Sequence, residues 1–564
     1  MTYNILAINP GHNGSAALVV DGQVVYYSEE ERLSRMKYDG NPFRAMIYVL
    51  MNYTVDELVI GGTSDQLAQL PWTGEDSYTA LARKFNPNIK VTKMGHLHHL
   101  GHAAAAFYGS NFETAVAIIV DGAGSFHREQ VNDQFSVGGF ETETIYNCAY
   151  PHEFDTVYKR YADGTSPYYN TDIQEFDNSV TITKSYEAVS DYLGFGFIEA
   201  GKTMGLAPYG SYDDNIPDFF INGKGNKNLL IPHYPAGALI DENRNPYLKR
   251  FTEPKEWHND FNLVRDVDKN LAYHVQIAVE QQMYDLIQKA VDITSETNVV
   301  ISGGFGLNCV ANYKFVKRFP NLKFYIDPIA HDGGTAIGLA RYAWFNHSKD
   351  ITPVPLTSVY LGAPPDYNQL TLIEQHKLNA EIVDITAADI AQLIEQGNIV
   401  SLFQGPAEGG PRALGNRSIL FDPRRSDGKD FVNRVKHREW FRPFAGSCLE
   451  EHADKWFDMT GMNSSPFMMY AVDVRPDKVA EIPAVTHVDN TCRVQTVNAT
   501  QNAHYYNLIQ EFYKLTGVPL LFNTSFNLAG QPLVESIIDA LITLFNSDIN
   551  YLYLPDIGKL VKKI

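Results

Sequence analysis

NILAINPGHNGSAALVVDGQVVYYS, residues 4–28, reads as apolar strands separated by turns: NILAIN, then SAALVV, then Asp21-Gly22, then QVVYYS. Asp-Gly between apolar runs is a strong hairpin signal, because both turn positions accept positive φ. A related pattern returns at AVAIIVDGAGS, residues 115–125, again an apolar strand ending in Asp-Gly. Near residue 300, the strand NVVISGG precedes FGLNCVANYKF, which reads as a helix, and HDGGTAIGLARYAWF is a glycine turn opening into another. NHSKDITPVPLTSVYLGAPPD is rich in proline and polar residues and predicts a domain boundary. Beyond it come a helix (AADIAQLIEQ), a strand (NIVSLFQ) and a basic segment. The expected organisation is a large α/β domain over 1–350, a linker over 351–365 and a smaller α/β domain over 366–564.

The bulk properties agree with this division. A chain of 564 residues exceeds what one compact core holds, and 44% hydrophobic with 20% charged residues is ordinary for a folded protein. The formal net charge of −20 argues against general adhesion to nucleic acid or acidic membrane, while leaving room for a local basic pocket. The start MTYNILAINPGHNGS lacks a basic, apolar leader, and no run of about 18 apolar residues occurs, so no signal peptide or membrane span is expected. The expected location is the cytoplasm. Cys148, Cys309, Cys448 and Cys492 are far apart and form no CxxC, so they read as buried reduced thiols.

GFIEAGKT, residues 196–203, formally matches a phosphate-binding loop. That loop needs a strand before it and a helix after it. Here SYEAVSDYLGF before it looks helical, and Pro208 and Gly210 interrupt any helix after it, so the match is set aside; Lys202 alone remains as an anion contact. HLHHLGHAAAAF, residues 96–107, is more informative. His98 and His102, spaced i, i+4, lie on one helix face and can reach one ion, whereas His96 and His99 point elsewhere. Asp121 ends the AVAIIV strand and Asp332 precedes a helix, both beside glycine turns that face the carboxyl edge of a sheet. Two imidazoles with two carboxylates suit iron, manganese, cobalt or zinc better than calcium, and the sequence does not choose among them.

Residues 410–444 carry nine Lys or Arg against four Asp or Glu. Arg424, Arg425 and Lys429 read as a solvated basic face. Arg412, Arg417, Lys436, Arg438 and Arg442 are interleaved with Leu414, Ile419, Leu420, Trp440, Phe441 and Phe444, so they approach the core and require anions or carboxylates. Guanidinium matches phosphate in a bidentate way, which makes phosphoryl-ligand binding the favoured reading. Arg493 and the NTSFN turn at 523–527 would complete the pocket. Gly303, Gly304 and Gly306 in ISGGFGLN allow backbone to approach a nucleotide closely, though GGxG alone is weak. Between 145 and 170 tyrosines crowd among polar residues, either as an irregular surface insertion or as an acceptor platform.

In order, EEERLSRMK, HHLGHAAAAFY, VDGAG, GKTMGLAPYG, SGGFGLNCVAN, GPRALGNRSIL with VKHREWFRPFA, PAVTHVDNTCRVQTV and GVPLLFNTSFN resemble the O-carbamoyltransferase family of nodulation-factor and antibiotic-tailoring enzymes. The resemblance spans residues 29–527. It implies an actin/chaperone/sugar-kinase-like, duplicated ribonuclease-H-like N-terminal domain and a YrdC-like α/β C-terminal domain. The second domain would make carbamoyl-AMP from carbamoyl phosphate and ATP with magnesium, and the first would pass the carbamoyl group to an acceptor hydroxyl at a metal site. Carried over by position, His98, His102, Asp121 and Asp332 would hold a divalent or ferric ion, with iron placed first. Gly303, Gly304 and Asn308 would meet the nucleotide in the first domain; Arg412, Lys436, Arg442, Arg493, Ser525 and Asn527 would bind carbamoyl phosphate and nucleotide in the second.

The chain departs from the family at two places. Where the family reads HDSA or HDAS, this chain reads His12-Asn13-Gly14-Ser15; the acid is absent and His12 becomes the candidate base. The expected catalytic residues are thus His12, Arg493 and Ser525. After the NTSF turn, Asn527-Leu528-Ala529-Gly530-Gln531-Pro532 replaces NVRGEP and loses an arginine and a glutamate. The acceptor stays open among sugar, natural product and hydroxymethylated nucleobase, so nucleic acid enters only as acceptor; a homodimer is admitted and no membrane is expected. The competing readings are a threonylcarbamoyl-tRNA-type enzyme, disfavoured by the acidic charge, and a non-catalytic nucleotide-binding regulator.

Overall fold

The computed structural model describes residues 2–250 and 264–564. They divide between two units, one of residues 2–30, 38–250, 264–308 and 319–357 and the other of residues 31–37, 309–318 and 358–564. The division at 357/358 falls within the stretch expected as a linker, but two short pieces from earlier in the chain belong to the second unit.

The first unit contains one strand plan twice. Strands β1 (Asn4–Asn9), β2 (Ser15–Val20), β3 (Gln23–Glu29), β4 (Glu57–Ile60) and β5 (Lys90–Lys93) lie in the order β3-β2-β1-β4-β5. The first three form an antiparallel meander, and β4 and β5 continue parallel to β1. The β2–β3 turn has Asp21 at φ 47° and Gly22 at φ 83°, the geometry that Asp-Gly prescribes. In the second sheet, β6 (Thr114–Val120) pairs antiparallel with Phe135–Ala149, which pairs antiparallel with Glu153–Ala162. On its other side, Asn298–Ser302 and Lys323–Ile326 run parallel to β6. The order is therefore the same, and so is the direction of every pairing. This is the duplicated ribonuclease-H-like plan of the actin/sugar-kinase class.

A helix follows the last strand of each copy: His98–Gly109 after β5, and Thr335–Ser348 after Lys323–Ile326. The two pack backbone to backbone. A Cβ on Gly338 would stand 1.9 Å from the Gly101 carbonyl oxygen and 2.6 Å from the Ala105 nitrogen, so only glycine permits the crossing. Pressed this close, the histidine helix is buried along its whole length.

Three sequence readings need correction or refinement here. The tyrosine-rich stretch is no irregular insertion, since most of it is the sheet hairpin Phe135–Ala149 and Glu153–Ala162. Tyr146 and Tyr161 are buried in it, and Tyr168 is exposed. FGLNCVANYKF splits into a 3-10 turn, Gly304–Leu307, and a helix, Cys309–Arg318. GFIEAGKT does follow a helix, Ile182–Tyr192, and Lys202 lies 3.8 Å from Glu199, which supplies its anion.

The second unit is built on a nine-stranded mixed sheet. Its centre runs Val400–Phe403, Arg417–Phe421, Leu520–Ser525, Ala445–Leu449 and Thr491–Val497. Helices Ala387–Glu395 and Ala503–Thr516 pack together beside it, the former opened by a reciprocal Thr386–Asp389 capping box. All four cysteines are free and buried. Among the described residues, no helix is long and apolar enough to cross a membrane.

Candidate metal centre and arginine pocket

The first repeat's helix supplies His98 and His102, and the second repeat supplies the carboxylates, one from a strand end and one from the turn before its helix. Asp121 follows β6, and Asp332 opens a 3-10 turn ahead of Thr335–Ser348. One ligand atom from each of the four residues lies within 4.8 Å of the others. The His98 and His102 Nε2 atoms are 3.3 Å apart. His98 Nε2 is 3.4 Å from Asp121 Oδ2, and both rings are 3.8 Å from Asp332 Oδ1. The imidazoles are buried, while the Asp332 side chain keeps 20% of its surface exposed, leaving one side open to solvent. The other atoms of the quartet are held by protein: His98 Nδ1 lies 3.2 Å from the Gly62 carbonyl, and Asp121 Oδ1 accepts the Gly304 N–H at 3.1 Å. Gly303 is fixed as glycine by its φ of 87° and by the Val120 carbonyl 2.4 Å from where a Cβ would be.

Charge is distributed unevenly over the quartet. Burial opposes a charged His98, but Asp121 and Asp332 outweigh it and push the ring up to about 9. Burial, with the neighbouring charge on His98, takes His102 down to about 3. Burial would raise Asp121, yet its hydrogen bond to His98 and the surrounding imidazoles hold it well below the usual carboxylate range. Asp332 is pushed up by burial and then by Asp121. A buried set of two nitrogens and two oxygens, drawn together around one point and balancing a proton on His98, fits a borderline divalent or ferric cation.

The other histidines lie outside, as their spacing predicts. His96 pairs with Asp65 on the surface, and His99 contacts Thr144 Oγ1 at 2.7 Å. His12 occupies an exposed loop and stacks on Tyr38 at 5.5 Å; the Tyr38 hydroxyl donates to Glu199 at 2.8 Å. His12 does not join the quartet. The Asn308 amide is engaged reciprocally with Gln276 at 3.2 Å. Sequence reading missed Ser302, whose hydroxyl lies 3.3 Å from His102 Nδ1, and Asp327 beyond it. Asp327 follows strand Lys323–Ile326 much as Asp121 follows β6, so the strand-end rule could have found it.

In the second unit the basic residues sort into separate roles. Arg417 is fully buried and its two terminal nitrogens donate to backbone carbonyls, Nη1 to Gln404 and Asn416 and Nη2 to Gly405 and Glu535, and the guanidinium lies 3.7 Å over Phe403. Loop carbonyls take these hydrogen bonds, while the Glu535 and Glu408 carboxylates offset its charge, in keeping with the expected carboxylate partners. Arg438 reaches Thr524 Oγ1, and Arg442 pairs with Glu439 at 3.5 Å. The Lys436 ammonium donates to the Ser525 carbonyl and, at 2.9 and 3.0 Å, to the carbonyl and side-chain oxygens of Asn527. It therefore ties the 523–527 turn. Burial, followed by Arg438 and Arg442, drives it well below the ordinary lysine range.

Arg412 and Arg493 remain side by side with Cys309. Burial, then the Arg493 charge, lowers Arg412 to about 9, and burial lowers Arg493 as well. Among the described residues, Arg493 Nε is buried with no hydrogen-bond partner. The loop carrying Arg412 is set by Glu408, whose Oε1 accepts the N–H groups of Leu414, Asn416 and Arg417 at 2.7–3.1 Å. Arg32 clamps the same loop through the Glu408 and Gly410 carbonyls.

Two family models match this chain: Carbamoyltransferase N-terminus over residues 78–341 and Carbamoyltransferase C-terminus over residues 391–562. Nodulation protein NolNO of Sinorhizobium fredii is 31% identical, over 96% of this chain and 77% of that protein. The chain belongs to the carbamoyltransferase family. Nodulation protein NolO of Bradyrhizobium diazoefficiens is 32% identical over 80% of this carbamoyltransferase and 76% of the relative. The 3'-hydroxymethylcephem-O-carbamoyltransferase of Streptomyces clavuligerus is 24% identical over 95% of each chain. The N-terminal match contains all four residues of the quartet, and the C-terminal match contains Arg412, Lys436, Arg442, Arg493, Ser525 and Asn527.

Proposed function

We propose that this carbamoyltransferase is an ATP-dependent O-carbamoyltransferase that works in two half-reactions. In the second unit, which we read as YrdC-like, carbamoyl phosphate, ATP and one water give carbamoyl-AMP, phosphate and pyrophosphate. In the first unit an acceptor hydroxyl attacks the carbamoyl carbon, its proton is taken up, and AMP leaves. The acceptor class is a sugar, a natural-product alcohol or a hydroxymethylated nucleobase. The buried quartet carries this reading, since a carbamoyltransferase whose two matched halves each hold a polar centre has a place for each step.

Arg412 and Arg493, with Arg442, bind the phosphoryl groups and spread their negative charge. Lys436 holds Ser525 and Asn527 in position along the same pocket. His98, His102, Asp121 and Asp332 hold a metal ion, iron first, with manganese, cobalt and zinc as alternatives; magnesium accompanies ATP. When bound, such an ion supplies Lewis-acid polarisation of the carbamoyl or phosphate oxygen. His12, on the exposed loop, accepts the proton of the acceptor hydroxyl. Keeping a mixed anhydride away from water suppresses its hydrolysis.

The test is release of pyrophosphate and AMP from ATP and carbamoyl phosphate by metal-replete protein, with and without pooled alcohols. Pyrophosphate release that depends on carbamoyl phosphate, followed by carbamoylation of an alcohol, is the expected result. Absence of pyrophosphate under every acceptor condition sinks the adenylation step. His98→Ala should abolish transfer and bound metal while leaving pyrophosphate release intact.

A further inference from the structure

We infer that Asp327 and Ser302 form a relay that fixes the tautomer of His102, protonating Nδ1 and presenting the Nε2 lone pair to the quartet. The direction of each hydrogen bond is set by its neighbours. Asp327 Oδ1 accepts the Ile329 backbone N–H at 3.0 Å, and Oδ2 lies 2.8 Å from Ser302 Oγ. A carboxylate only accepts, so the single Ser302 hydroxyl proton is committed to Asp327. The serine oxygen then has only lone pairs to offer His102 Nδ1, 3.3 Å away, and the ring must donate from that nitrogen. Ser302 and His102 are wholly buried and Asp327 is 2% exposed, so bulk water does not compete for these bonds. On the far side of the ring, His102 Nε2 faces His98 Nε2 at 3.3 Å and Asp332 Oδ1 at 3.8 Å. His98 also carries a proton on Nδ1, by a different route, because the backbone carbonyl of Gly62 can only accept from it. One histidine is thus locked by main chain and the other by a two-residue side-chain relay, which makes Asp327 a positioning residue two hydrogen bonds away from the metal site.

The relay makes an unusual prediction about substitution. In Asp327→Asn, the Ile329 N–H still requires an oxygen, so the amide nitrogen is turned toward Ser302. The serine then receives a proton instead of giving one, and its own hydroxyl is free to donate to His102 Nδ1. The imidazole must answer with the opposite tautomer, its proton on Nε2. Ser302→Ala only releases the ring and leaves both tautomers accessible. Asp327→Asn is therefore more damaging than Ser302→Ala, and the double variant recovers to the level of Ser302→Ala. A residue that merely supports the fold has no reason to give this order.

Because the inference rests on reading the quartet as a metal site, its test has one arm without metal. In metal-free protein labelled with [15N]histidine, the nitrogen shifts of His102 should report Nδ1–H in the parent and Nε2–H in Asp327→Asn. In the second arm, Co(II) affinity is measured by chelator competition. The expectation is a loss of about tenfold for Ser302→Ala, a larger loss for Asp327→Asn, and the Ser302→Ala value for the pair. Ser302→Thr, which retains the hydroxyl, keeps Co(II) affinity, and pyrophosphate release is unchanged throughout. An Nε2–H tautomer in the parent overturns the relay, as does a double variant weaker than Asp327→Asn. If the parent shows Nδ1–H but binds no Co(II), the metal reading fails and the tautomer assignment stands.

Discussion

His98 and His102 sit one helical turn apart with their Nε2 atoms in contact, yet metal-free they carry different charge. His98 is raised from 6.5 to about 9 by its carboxylates, whereas His102 stays neutral. A raised histidine contributes its stabilisation fully below pH 6.5 and loses it as pH rises through about 9. On the proposed metal reading, an ion bound there displaces the same proton, so metal affinity should climb about tenfold per pH unit across that interval and then level. Affinity that is flat from neutral pH upward would place the proton elsewhere. Arginines give a second contrast. Arg493→Ala should abolish pyrophosphate release with metal content and thermal midpoint near normal. Arg417→Ala strands four carbonyls and should instead destabilise the second unit by on the order of 3 kcal/mol, read from urea unfolding. These two looked alike in the sequence, because the carbonyls to which Arg417 donates come from residues 404, 405, 416 and 535, which only the folded sheet assembles. The quartet was legible for the opposite reason: i, i+4 spacing and carboxylates beside glycine turns are local signals.

At the scale of elements, the two helices that follow the repeats meet through Gly101 and Gly338. Gly338→Ala places a methyl against backbone and cannot be relieved by a rotamer change. It should cost about 3 kcal/mol and weaken metal affinity, since the histidine helix has to move. Gly201→Ala, where a Cβ meets nothing within 4 Å, is the control and should be neutral or slightly stabilising. Calorimetry with a metal titration of both variants checks this. The strand–turn signals of residues 4–28 and 115–125 were legible because Asp-Gly turns and apolar runs announce themselves. The tyrosine hairpin was not. Its pairing shifts register between Glu141 and Glu143 and again between Ile145 and Tyr146, and each irregularity breaks the alternation by which a strand is recognised.

Over the whole molecule, the second unit takes residues 31–37 and 309–318 as well as 358–564. The proline-rich stretch near 350 reads as a boundary in the sequence, but no local pattern reveals that earlier residues are loaned to a later fold. Arg32, from the first of these pieces, holds the loop that carries Arg412, and Cys309, from the second, stands beside Arg493. A fragment of residues 358–564 should therefore bind ATP more weakly than full-length protein and release no pyrophosphate. Adding the excised stretches back as peptides, or linking them by permutation, should restore part of the loss; an active fragment would refute the dependence.

The same threading bears on ancestry. A gene whose product ends in a self-contained module can lose, swap or acquire that module by a single recombination event. Here a crossover anywhere between codons 38 and 357 would separate the arginine pocket from one or both of its borrowed pieces. The interleaving of segments therefore favours joint inheritance of the two halves, with change by point substitution within an intact frame.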